Sequence, residues 1–76
     1  MPAKKSAAVQ ALGEAIESAR REQGYAQEAF AKRAGLDRSY FGAVERGEFN
    51  ITMDTLLKIA GGLGVQASTL LRRAQL

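Results

Sequence analysis

Apolar residues recur at three- and four-residue intervals along almost the whole chain, the spacing that lines one side of an α-helix. No stretch of useful length alternates as a half-buried strand would, so the chain reads as all-α, with five short helices. Val9, Leu12, Ile16 and Ala19 form the inner stripe of a first helix that Ser6 caps and that runs to about Gln23, where Gly24 stops it. A second helix, about Gln27 to Ala34, buries Phe30, Ala31 and Ala34. Gly35 ends it, because the residue past a helix end often needs a positive φ. Asp37 caps a third helix, about Arg38 to Arg46, and Gly47 closes it. After the loop GEFNIT (47–52), Thr52 caps a fourth helix whose inner face is Met53, Leu56, Leu57, Ala60 and Leu63, with Gly64 at its end. Gly61 and Gly62 cost that helix about 1 kcal/mol each relative to Ala. A final helix from about Ala67 supplies Leu70, Leu71 and Ala74.

Two short helices joined by a tight Gly-containing turn make a helix-turn-helix pattern, whose second helix enters the DNA major groove and touches base edges with its N-terminal residues. A projection of the third helix at about 100° per residue tests this. With Phe41 turned to the core, Val44 and Glu45 fall beside it, while Ser39, Ala43, Arg46 and, more laterally, Gly42 point outward. A face of small side chains lets a helix backbone sit close to another surface. Arg38, in the first turn, suits a bidentate contact to guanine O6 and N7; its plainer reading is a solvated residue beside Asp37. Ser39 suits a base or a phosphate. Gln27, Arg46 and the backbone near Asn50 suit phosphates, which position a protein without reading sequence, although Arg46 also reads as an ordinary surface residue. Tyr40 either packs flat on the domain or touches DNA.

With 76 residues the chain holds one domain at most, and a chain so short buries only about 60% of its unfolded surface. A partner copy would add to that. The residues divide into a flexible basic arm, 1–6, carrying Lys4 and Lys5, and a single domain, 7–76. Leu70, Leu71 and Leu76 form an apolar C-terminal patch, read either as core packing for one Leu or as a two-fold homodimer seam. Met1 and the Leu76 end read as those of a whole chain rather than a fragment.

No Cys and no His are present, which removes the usual zinc ligands, thiolate nucleophiles and imidazole bases. Glu14, Glu17, Glu22 and Glu28 are spread along solvated helix faces, and no nucleophile–base pairing is visible. An enzyme is not expected, nor a cofactor or a metal, and no second domain offers a small-molecule site. The lack of disulfides fits a cytoplasmic chain. No apolar run approaches the roughly 20 residues of a membrane span, and MPAKKSAAVQ lacks a signal peptide's apolar core. The net charge of +3 leans basic but decides little.

From Leu12 to Leu71 the chain resembles the lambda repressor/Cro (XRE) helix-turn-helix family, through LGEAIESARREQGYAQEAFAKRAG, LDRSYFGAVERG and TLLKIAGGLGV. The resemblance implies a compact five-helix lambda-repressor-like domain that dimerises on double-stranded operator DNA. It implies that Gln27 contacts the DNA backbone, that Arg38, Ser39, Tyr40 and Ala43 face bases, and that Arg20 pairs with Glu45. The projection independently turns Glu45 inward, where a carboxylate needs a partner. LDRSYFGAVERGEFNIT is closer to the small controller proteins of restriction-modification systems, in which an Asp-Arg-(Ser/Thr)-Tyr run opens the recognition helix. Ala26 and Gln66 depart from the family by standing where caps are usual, and each missing cap costs about 1 kcal/mol. The rival expectation keeps the fold but not the DNA, as an antitoxin-like module whose small-residue face receives a protein helix.

Overall fold

Side-chain oxygens placed just ahead of apolar stripes set where the helices begin. In the computed structural model, which describes residues 6–76, α1 spans Ala7–Glu22, α2 Gln27–Ala34, α3 Arg38–Glu45, α4 Met53–Leu63 and α5 Ala67–Arg73, with no strand among the described residues. The proposed arm's Lys4 and Lys5 lie outside the described residues. Ser6 Oγ accepts from the Val9 N–H at 3.0 Å, Asp37 Oδ2 from the Tyr40 N–H at 3.1 Å, and Thr52 Oγ1 from the Thr55 N–H at 3.1 Å. Each satisfies one of the donors that the first turn of a helix leaves unpaired. α2 and α5 start at Ala26 and Gln66 with no side-chain cap.

Every helix contributes one of the largest fully buried side chains: Ile16 from α1, Phe30 from α2, Phe41 from α3, Ile59 from α4 and Leu70 from α5. All belong to one cluster, in which the Phe30 and Phe41 rings lie 5.2 Å apart. Leu70 is therefore corrected as an interface residue. It has 0% exposure within its own domain, because α5 is only seven residues long and has no other side chain buried to that degree. Leu71 is half-buried and Leu76 exposed.

The inner face of α4 also needs correction. Met53 and Leu57 are 67% and 53% exposed, and the buried face is Thr55, Leu56, Ile59, Ala60 and Leu63. The helix is apolar around most of its circumference, so periodicity offered two overlapping stripes. Packing against α2, α5 and α1 selects the one centred on Ile59.

α1 passes directly against the end of α3. A Cβ on Gly13 would stand 2.5 Å from the Glu45 carbonyl oxygen and 2.6 Å from that of Val44. Only a residue without a side chain lets the two backbones approach this closely. Polar side chains tie the other ends together. Arg73 holds the Glu22 carboxylate at 2.6 and 3.1 Å, and the bond keeps that carboxyl below the usual glutamate range. The last carbonyls of α4 are met by Gln23, whose Nε2 donates to Leu63 O, and by Arg33, whose Nε donates to Gly62 O, both at 2.8 Å.

Candidate nucleic-acid interface

α2 and α3 are joined by three residues. Gly35 adopts φ 74°, and the Leu36 N–H returns to the Ala31 carbonyl at 2.8 Å, so the chain reverses tightly into Asp37. This left-handed backbone is readily available to Gly and strained for most other residues. α3 therefore starts at a defined angle, its first turn pinned by the Asp37 cap.

The two halves of α3 have different surroundings. Arg38 and Ser39 are exposed, and Arg38 makes no hydrogen bond or ion pair among the described residues. Phe41, Gly42, Ala43, Val44 and Glu45 are all buried. Tyr40 stands between them: it is half-buried, its ring is 5.9 Å from that of Phe49, and its hydroxyl is 3.5 Å from Thr55 Oγ1. It leans on its own domain, at the edge of the exposed turn.

Ala43, projected outward from the sequence, is corrected: only 5% of it is exposed. A single-helix projection assumes one covered side, whereas the second half of α3 is enclosed from several. The core takes one side. Beyond Gly47 the chain doubles back, and the Glu48 N–H donates to the Ala43 carbonyl at 3.0 Å. Gly42 is covered as well. A Cβ there would lie 3.3 Å from both Arg46 Nη1 and Gln27 Oε1, so these two side chains fold down over the bare backbone.

Arg20 and Glu45 are brought together beneath this surface. Arg20 Nε donates to Glu45 Oε2 at 2.7 Å and Nη2 to Oε1 at 3.1 Å, a bidentate pair with both residues buried. Arg20 Nη1 also donates to the Tyr25 carbonyl at 2.7 Å, and Gln27 Nε2 donates to Glu45 Oε1 at 2.8 Å. The Glu45 hydrogen bonds hold the guanidinium above its ordinary value, against the opposing effect of burial. The sequence reading missed Gln27 as a third member. The available signal was that a buried carboxylate has more lone pairs than one arginine satisfies.

Arg46 is exposed and pairs with Glu48 through Nε at 2.8 Å and Nη2 at 3.3 Å, bonds that raise its pKa. Asn50 is exposed in the following loop. Among the described residues, Phe49, Met53, Leu57 and Leu76 are the large apolar side chains left exposed. Among the described residues no helix is long and apolar enough to cross a membrane, and no group of His, Cys, Asp or Glu could hold a metal ion.

A family model described as Helix-turn-helix matches residues 16–70. A hypothetical transcription factor of Neisseria meningitidis serogroup B is 47% identical over 49 residues, 64% of this chain but only 46% of that protein, so the chain spans less than half of this relative's length. Control protein C.SmaI of Serratia marcescens is 40% identical over 62 residues, 82% of this chain and 74% of that protein. The crystal structure of the restriction-modification controller protein C.AhdI from Aeromonas hydrophila superposes with a TM-score of 0.83 at 37% identity, covering 86% of this chain and 98% of that one.

Proposed function

The chain belongs to the helix-turn-helix family, of the lambda repressor/Cro (XRE) type, and on that premise we propose that it regulates transcription by binding a pseudo-palindromic operator as a homodimer. α3 enters the major groove by its first turn. The observation that carries this reading is a capped helix start, set by the Gly35 turn, at which Arg38 and Ser39 are exposed and Arg38 has no protein partner among the described residues. Arg38 reads a guanine through its planar fork, and Ser39 takes an adjacent base edge or phosphate. Gln27, Arg46 and Asn50 hold the DNA backbone. Tyr40 braces the turn against Phe49 and touches DNA by its outer edge only, and Ala43 takes no part. The controller proteins among the relatives support a role in restriction-modification control.

Self-association uses the exposed apolar side chains of Phe49, Met53, Leu57 and Leu76, with half-buried Leu71 at the margin. Exposed side chains of this size gain by being covered, and one module of this size grips DNA weakly alone. A two-fold pair places its α3 helices about 34 Å apart, one turn of DNA.

Footprinting on the DNA around its own promoter, repeated across a salt series, tests the proposal. Two protected half-sites one helical turn apart, with affinity falling steeply as salt rises, are expected. Binding that ignores salt would instead favour a protein partner. Sedimentation at tens of micromolar should give a dimer for the wild type and a monomer for Leu57→Asp.

A further inference from the structure

Gln27 sits at the start of α2 and Arg46 just past the end of α3, yet both side chains come to rest over the same spot. Nη1 of Arg46 and Oε1 of Gln27 each lie 3.3 Å from where a Cβ on Gly42 would stand. Each is also fixed from behind by a carboxylate: Glu45 Oε1 accepts from Gln27 Nε2 at 2.8 Å, and Glu48 accepts from Arg46 Nε and Nη2. A carboxylate only accepts, so it fixes which way the Gln27 amide faces and leaves the second N–H of Nε2 unused by this bond. Glu48 takes the Nε–Nη2 edge of the Arg46 guanidinium, and no protein acceptor meets Nη1 among the described residues. The Arg46 guanidinium and the Gln27 amide, whose donor Nε2 stands 3.5 Å from the same point, therefore meet over Gly42, each oriented by an acid.

We propose that Gln27 and Arg46 act as a single preassembled clamp on one phosphate of the DNA backbone, with Gly42 as the bare seat that lets them close together. The inference rests on the DNA-binding reading above and adds that the two contacts are one unit. Gly42 is a positioning residue, because it contributes no donor side chain and works through the two that lie on it. A methyl group there meets the ends of flexible side chains rather than backbone, so the helix accepts it while both side chains are pushed outward by a few tenths of an ångström.

Charge separates this arrangement from two independent contacts. Removing Arg46 lowers the slope of log affinity against log salt by about one for each bound protomer, about two for the dimer, since one fewer counterion is released at each half-site. Gln27 is uncharged, so as an independent contact its loss would leave the slope alone. In a clamp, losing Gln27 also releases Arg46 from the phosphate.

The experiment measures binding of the full chain to a random-sequence duplex and to its own promoter fragment across a salt series, with melting curves alongside. Gln27→Ala and Arg46→Ala should each weaken both complexes by about tenfold or more near 0.1 M salt and lower the slope by about two, one for each protomer of the dimer. The double variant should be no weaker than the poorer single. Gly42→Ala should lower the slope in the same direction while melting at or above the wild-type temperature, and Gly61→Ala, a helical position with open space around it, should bind as wild type. A wild-type slope in Gln27→Ala or Gly42→Ala, or losses that add in the double variant, overturns the clamp and leaves the DNA reading standing. Wild-type protein that binds neither duplex overturns both.

Discussion

The first turn of α3, Arg38 to Tyr40, and the five residues that follow it belong to one eight-residue helix but meet opposite surroundings. At the start, Arg38 and Ser39 are exposed and Arg38 touches no protein group among the described residues. Further on, Phe41 to Glu45 are buried, with Glu45 anchored to Arg20 and Gln27. On the proposed DNA-binding reading, the difference teaches that recognition and stability are divided along the helix axis rather than between its two faces. A short helix wedged by its tail can offer only its head.

Substitutions should act on one half and spare the other. The largest expected effect is at Glu45→Ala, which strands the buried Arg20 guanidinium and should lower stability by about 3–5 kcal/mol in denaturant unfolding. Melting like that of the wild type would show that the tail is not anchored by this pair. Gly13→Ala should follow, at about 1–3 kcal/mol or more, because its methyl would meet the Glu45 and Val44 carbonyls, which are backbone and cannot swing aside. Arg38→Ala should leave the melting curve unmoved and relax preference at one base pair per half-site by about 1–3 kcal/mol in competition binding. Equal weakening on all sequences would demote Arg38 to a phosphate contact. The smallest is Asp37→Ala, about 1 kcal/mol of stability from the lost cap. It is the one change expected to blur the comparison, since it loosens the exposed turn and also shows in the melt.

What could be read beforehand follows the range of the force involved. Ser6, Asp37 and Thr52 were legible as caps because a cap is a contact between neighbours three residues apart. Gly35 was legible because its demand is on its own backbone. The pairing of Arg20 with Glu45 came through family resemblance, since 25 residues separate them in the chain. Gln27's share in that cluster and the close approach at Gly13 were not seen, for both depend on where a distant element passes. Ala43 and the face of α4 were misjudged for a related reason. Periodicity says that a helix has an apolar side, but the number of sides its neighbours cover is decided by the other helices.

Because all five helices drive a side chain into the same centre, none can detach and leave the remaining four with a closed interior. Slowly exchanging amide protons in α1 through α5 should therefore share one opening free energy, and a truncation that stops before Leu70 should unravel α3 along with α5. If α3 reads DNA as proposed, a single proteolytic cut near the C-terminus would silence that reading at Arg38, far upstream in the chain.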